Sequence, residues 1–289
     1  MPTRGLERDA VEDVLREQEQ TGIDVVTDGQ VQWSDPMSHI AGALEGVRLG
    51  NRLPYFDTPQ SFRQPVITAA MHRRQSVLLQ AFIAARDMSR PPVKPVLMGP
   101  YTLARLSLIE SGPYAGIPGL AHAFSEILTA EIHDLVQAGA RYIQIEEPAI
   151  LGHPGDIRLL RQLLEPLWSA RGTAAMVLAS YFGRAEPLYA QLNSLPTDIL
   201  ALDCSSDSNL GDLIAATGAS KVLALGIIDG RNPHLEDPRV LARALERMLK
   251  RYVLDSVHLL PSCGMRCLPR DRARAKLALL GEVRQLLCL

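Results

Sequence analysis

The sequence predicts an α/β barrel, a ring of parallel strands covered by helices, and three observations predict it. β-Rich runs alternate with helical stretches along the chain, which implies crossover units and a parallel sheet. The composition is aliphatic, 47% hydrophobic with only 5% aromatic residues, and this suits strands buried beneath helices. The β-rich runs also end, one after another, in polar residues, and the C-terminal strand ends of such a barrel are where ligands sit. At 289 residues a single domain covering 1–289 is expected, because α/β barrels reach about 250 residues as one unit.

Residues 10–21 read as an amphipathic helix, with Val11, Val14 and Leu15 on one face and Gly22 as its stop. A short strand at 23–27 ends in Asp28-Gly29-Gln30. Residues 31–65 are irregular and rich in Pro and Asp, and a long loop or hairpin excursion is expected over about 31–70, with 66–70 as one of its strands. Helix follows at 75–87, then a strand at 95–98 ending in Gly99-Pro100-Tyr101-Thr102, then helix at 120–137.

Next comes the run around which the chain is organised, residues 141–153, RYIQIEEPAILGH. Its β-rich part, 142–146, breaks into two adjacent carboxylates and a proline. Desolvating carboxylates is expensive unless they meet a cation or donors. Beyond a helix at 157–170, strands at 176–181, 199–203, 222–228 and 257–260 alternate with helices at 185–193, 210–217, 238–253 and 270–288. Strands followed by a helix number seven, starting at 23, 95, 142, 176, 199, 222 and 257, whereas a closed barrel has eight. Either 66–70 supplies the eighth, or the first strand is lacking or replaced.

Several function classes are excluded at this stage. A formal net charge of −2 gives no electrostatic basis for nucleic-acid binding. No apolar run is long enough for a membrane span, and the charged N-terminal stretch lacks a signal peptide's apolar segment, so the cytoplasm is expected. The four cysteines (Cys204, Cys263, Cys267, Cys288) form no disulfide framework in a chain this long. Cys204, Cys263 and Cys267 read either as part of a metal site or as buried free thiols. No phosphate loop, dinucleotide glycine fingerprint or nucleophile elbow occurs. His39, His72, His122, His133 and His258 stand alone and read as structural or solvated.

The strand ends together present Asp28, Gln30, Gln144, Glu146, Glu147, Ser180, Tyr181, Asp203, Cys204, Asp229, Arg231, Asn232, Ser262 and Cys263. So regular a polar set marks this face as a ligand site. Acidic groups dominate, so the ligand should bring an amine, a hydroxyl pattern or a metal. Arg231 either pairs a ligand carboxylate through both nitrogens or forms an ion pair inside the mouth with Glu147.

Four motifs at these ends, VTDGQ (26–30), GPYT (99–102), QIEEP (144–148) and LPSCGM (260–265), resemble the cobalamin-independent methionine synthase family. The similarity runs in order over nearly the whole chain. It implies a TIM-type (β/α)8 barrel, here with the first strand lacking or replaced, and methyl transfer from a reduced folate or a methyl-corrinoid to a thiol such as homocysteine. It further implies that Glu146 holds the amino group of the amino-acid substrate. Gln144, Glu147, Tyr181, Asn232, Asp28 and Gln30 would line the substrate site, and Asp229 and Arg231 would contact the donor or a carboxylate.

In the family a zinc ion holds the substrate thiol as thiolate. Cys263 matches a zinc cysteine and Asp203 falls at a zinc glutamate, but the family's H-x-C pair falls on Leu178 and Ser180, neither a zinc ligand, and its catalytic histidine on Arg231. ASYFG (179–183) and GIIDGRN (226–232) are closer to the family's zinc-free amino-terminal barrel. The resemblance therefore leaves two alternatives beside thiol methylation. One is a catalytically degenerate partner subunit of a related barrel; the other is a metal-free lyase or decarboxylase. Expected partners are a small thiol or amino acid, with a second copy, a partner subunit or a corrinoid protein as macromolecular candidates.

Overall fold

The structure, a computed structural model, describes residues 3–250 and 257–287. Helix α1 (Thr3–Gln20) leads into a segment at 23–28 and then α2 (Pro36–Ala41), whose N-terminus is capped by the Asp35 carboxylate. An antiparallel hairpin of β1 (Glu45–Pro54) and β2 (Ser61–His72) follows, then α3 (Leu79–Met88), β3 (Val96–Met98), α4 (Pro100–Leu106) and β4 (Leu108–Ile109). From there strand and helix alternate: α5 (Gly116–Gln137), β5 (Tyr142–Glu146), α6 (Ile157–Ala170), β6 (Ala175–Ser180), α7 (Tyr189–Asn193), β7 (Ile199–Asp203) and α8 (Ser208–Thr217). The chain continues through β8 (Val222–Ile228), α9 (Pro238–Met248), β9 (Val257–Pro261) and α10 (Arg270–Leu287). Among the described residues no helix is long and apolar enough to cross a membrane.

Six strands form one parallel sheet in the order β3-β5-β6-β7-β8-β9. The 23–28 segment flanks β3, with Val26 N–H donating to Pro92 O at 3.0 Å and Val26 O accepting from Lys94 N–H at 2.8 Å. The sheet curls on itself. His258 on β9 and Tyr142 on β5 have ring centroids 6.3 Å apart, although β6, β7 and β8 lie between their strands. A flat sheet would hold those strands roughly 19 Å apart, four spacings of about 4.8 Å.

Strand alternation divides the side chains into two layers. Outward-facing Ile143, Ile145, Met176, Leu178, Leu200 and Leu225 are fully buried under the helices in the main core. Inward-facing Val177, Ala179, Ile199, Ala201 and Ala224 form a separate, smaller cluster. The bulky branched residues that usually fill a barrel are replaced here at three inward positions by alanine. A cavity of about 1010 Å³ takes in the interior and the mouth and extends outward beneath α1 and α10, where Val14, Glu17, Ala273 and Leu277 line it.

Three expectations need correction. Residues 66–70 do not supply an eighth barrel strand. They lie in β2, which is paired on one edge by β1 and on the other by β4 in a separate three-stranded sheet, so β2 has no edge left for the barrel. Residues 31–65 are not irregular throughout, since α2, β1 and the start of β2 fall there; cross-strand pairing makes a strand of the Gly- and Arg-rich 45–54, which has little β propensity. The strand at 23–27 is reduced to the single bridge between Val26 and Val93.

The helix expected over 238–253 ends at Met248, and residues 251–253 and Cys288 lie outside the described residues. Among the described residues nothing pairs with β9 on the side away from β8. All five residues of β9 are only half-buried, whereas all five of β7 are buried.

Candidate ligand site at the barrel mouth

Because β5 alternates, the paired carboxylates at its end part company. Glu146 faces the interior and lines the cavity. Its Oε2 accepts from Tyr181 Oη–H at 2.6 Å and its Oε1 from Gln144 Nε2–H at 2.9 Å. Gln144 Oε1 in turn accepts from Lys94 Nζ–H at 2.5 Å. Burial pushes the Glu146 pKa up, against the Tyr181 and Gln144 hydrogen bonds and the Lys94 charge. Burial likewise pushes Lys94 down to about 8, against the pull of Glu146.

Lys94 was missed by sequence reasoning. A signal was available, for it stands two residues before Val96 and so shares that residue's face, in a run otherwise made of apolar residues and proline, VKPVLM.

Glu147 faces outward and is 0% exposed. Its Oε1 accepts from Tyr101 N–H at 2.9 Å, and its Oε2 from Thr102 N–H at 2.7 Å and Thr102 Oγ1–H at 2.6 Å. These are first-turn donors of α4, which would otherwise lack partners. Gly99 makes the approach possible, since a Cβ there would lie 2.3 Å from the Glu147 carboxyl carbon. GPYT and EEP are therefore two halves of one helix cap. This corrects two expectations: Glu147 is not part of the cavity wall, and it is not the partner of Arg231.

Arg231 pairs with the strand-end aspartates. Its Nε lies 3.2 Å from Asp229 Oδ1 and its Nη2 4.0 Å from Asp203 Oδ2, with the guanidinium carbon 5.8 Å from the Phe182 ring centre. Both oxygens of Asp203 are engaged: Oδ1 accepts from Ser205 N–H at 2.9 Å and Ser205 Oγ–H at 2.7 Å, and Oδ2 from Ser206 Oγ–H at 2.8 Å. Cys263 is buried, and burial pushes its thiol up to about 12, with Ser262 and Arg231 opposing.

This donor set does not fit zinc. The oxygens of Asp203 are engaged, Cys204 points its thiol outward toward Leu202 O at 3.7 Å, and Cys267 Sγ accepts from Gln60 Nε2–H at 2.9 Å. Among the described residues no three His, Cys, Asp or Glu side chains converge on one point, and zinc needs three or four. A guanidinium stands as the cation between Asp203 and Asp229. Leu178 faces outward into the main core, and Ser180, which borders the cavity, donates its Oγ–H to Glu147 O at 3.3 Å. The inward residues of this strand are Val177, Ala179 and, just past its end, Tyr181. A shift of one residue along a strand exchanges its faces.

The remaining sequence-derived residues scatter. Gln30 lines the cavity, and Asp28 Oδ1 accepts from Gln30 N–H at 3.0 Å and Gln30 Nε2–H at 2.9 Å, but Asp28 itself borders a separate small pocket. Asp229 and Arg231 sit at the rim rather than in the wall. Asn232 is exposed and accepts from His234 N–H at 3.0 Å, so the structure does not bring it to the cavity.

The mouth also has a roof that the sequence did not reveal. The tip of the β1–β2 hairpin places Tyr55 and Phe56 with ring centroids 6.0 and 5.7 Å from that of Phe182, and Tyr55 Oη lies 3.9 Å from Met98 Sδ. Gln30, Phe56 and Phe182 have φ of 49°, 52° and 63°, and among the described residues they are the only non-glycines in that region. Such conformations gather at ligand sites.

Comparison with known proteins gives a consistent result. The model of the family described as "Cobalamin-independent synthase, N-terminal domain" matches residues 50–252. The methionine synthase of Sulfurisphaera tokodaii is 27% identical over 271 residues, covering 93% of this chain and 78% of the relative. That of Thermococcus kodakarensis is 25% identical over 276 residues, covering 93% and 80%. Among solved structures, a B12-independent methionine synthase from Shewanella sp. W3-18-1 in complex with selenomethionine superimposes with a TM-score of 0.83 at 24% identity, covering 98% of this chain and 89% of that one. This last likeness speaks for the fold.

Proposed function

From the premise that the chain belongs to the cobalamin-independent synthase family, we propose that it is a methyltransferase of the methionine synthase type, acting on the thiol of an amino acid such as homocysteine. The observation that carries this reading is Glu146. A carboxylate at the cavity wall, held by Tyr181 and Gln144 and retaining lone pairs for a ligand, is suited to an amino group.

The rim would then serve the thiol. Arg231 supplies positive charge that favours a thiolate, and Asp229, of which only Oδ1 is engaged by Arg231, takes the thiol proton through Oδ2. The sulfur lone pair forms the new S–C bond while the bond from methyl to its carrier breaks, the carrier keeping that electron pair. The carrier would be a reduced folate, whose nitrogen would take up the proton held by Asp229, or a methyl-corrinoid, which needs none. The aromatic roof of Tyr55, Phe56 and Phe182 would exclude water from the transfer.

A second reading has its own observation. The half-buried β9, which among the described residues pairs only with β8, favours a partner subunit whose activity depends on another chain covering its other edge. Co-purification of a second polypeptide in stable stoichiometry would support it. The first reading is tested by titrating the protein with L-homocysteine and L-methionine. Binding that is lost in Glu146→Gln supports it, and an unchanged dissociation constant in that variant refutes the assigned role.

A further inference from the structure

We infer that Lys94 is the carboxylate anchor of this site, and that Lys94 and Glu146 together hold the two ends of an amino-acid zwitterion. The inference rests on the reading above only in taking the ligand to be an amino acid.

Lys94 presents its ammonium to the interior of the barrel, where it lines the cavity. Among the described residues its one hydrogen-bond partner is the neutral oxygen of Gln144, and no carboxylate lies within ion-pair distance. Lys94 is half-buried, and charges drawn away from bulk water are ordinarily paired. Here one N–H is engaged and two remain, so the cation lacks an anion and faces a space able to hold one.

Gln144 shows what that anion would be attached to. Its amide lies between Lys94 and Glu146, with Oε1 toward the ammonium and Nε2 toward the carboxylate. The amide thus presents a negative end to Lys94 and a positive end to Glu146. An α-amino acid carries the same polarity in full charges, its carboxylate and ammonium both being attached to the α-carbon. Laid beside the Gln144 amide, it would give Lys94 its missing anion and Glu146 a cation. Charge-assisted hydrogen bonds of this kind are about twice as strong as neutral ones.

The surroundings leave room. Across the interior stand Ala179, Ala201 and Ala224 rather than large side chains. Glu146 is kept in place by Tyr181 from the far side, so the ligand meets an oriented carboxylate. A simple acid would satisfy Lys94 alone and a simple amine Glu146 alone. Only a ligand bearing both groups at this separation uses both.

The test is calorimetric titration with L-methionine, L-methioninamide, which lacks the carboxylate charge, and 3-(methylthio)propionate, which lacks the ammonium. Wild-type protein should bind methionine at least about tenfold more tightly than either analogue. In Lys94→Met the preference for methionine over methioninamide should vanish, while the preference over 3-(methylthio)propionate remains. Glu146→Gln should show the reverse pattern. Lys94→Gln provides a second variant should Lys94→Met fail to melt cooperatively.

Equal wild-type affinity for methionine and methioninamide would overturn the inference, as would a Lys94 variant that keeps the preference. Either result, together with Glu146-dependent methionine binding, would leave the functional reading standing. No binding of methionine to wild-type protein would overturn both.

Discussion

Glu146 and Glu147 are adjacent in sequence and serve opposite sides of β5. Glu146 turns its carboxylate to the cavity, held by Tyr181 and Gln144, while Glu147 caps the first turn of α4 through three donors. The pair therefore separates ligand binding from scaffold stability. Glu147→Gln should destabilise the fold by about 1–3 kcal/mol, because an amide nitrogen cannot accept from those donors. Amino-acid affinity should stay within about twofold of wild type. Glu146→Gln should lower affinity by about tenfold or more with little change in melting temperature. Thermal melts and titrations of the two variants check this together.

Lys94 gives a pH-dependent prediction. Its pKa in the folded protein is about 8, below the ordinary 10.5. At pH 7 both folded and unfolded states carry the proton, and the folded state bears the cost of a buried charge. Between about 8 and 10.5 the folded state releases its proton while the unfolded state keeps it, so wild-type stability rises with pH. Lys94→Met lacks this contribution. In the absence of ligand it should be more stable than wild type at pH 7 by on the order of 2 kcal/mol, and the difference should shrink as pH passes from 8 to 10. Denaturant unfolding at a series of pH values checks the sign, and a difference independent of pH would contradict it.

The rim predicts the metal content. With Asp203 engaged by Ser205 and Ser206 and a guanidinium beside it, protein purified without chelator or a metal-binding tag should hold well under one zinc per chain. Cys263→Ser should leave that content unchanged. Elemental analysis before and after incubation with zinc and desalting is the check; a stoichiometric ion lost in the variant would show that the rim does hold zinc.

Tyr181 should matter through Glu146. Tyr181→Phe removes the hydroxyl that fixes Oε2, so amino-acid affinity should fall roughly three- to tenfold. The aromatic contacts of the ring with Phe182, 4.6 Å between centroids, remain available to the variant, and its melting temperature should change little.

Much of the barrel was legible because its signals are local. Residues 142–146, 199–203 and 222–228 are strands as expected, for each is a short aliphatic run bounded by polar or turn residues. What stayed illegible depends on long-range pairing. The β1 strand forms because β2 lies beside it, and among the described residues Val26 bridges only Val93, in the stretch before β3. At the site, the strand ends marked the right face of the barrel but not the direction of each side chain. The adjacent carboxylates read alike in sequence, and only the strand's parity and the nearby helix start distinguish them. Lys94 was overlooked because it lies at the opposite end of its strand and reaches the site through the length of its side chain.

Methyl transfer itself is the direct test of the proposed function. Wild-type protein and Glu146→Gln are incubated with L-homocysteine and either a methylated reduced folate or methylcobalamin, and methionine formation is followed. Wild-type protein should form methionine from one of the two donors without added metal, and Glu146→Gln should lose that activity. Formation from neither donor, or equal rates with both proteins, would contradict the proposed function.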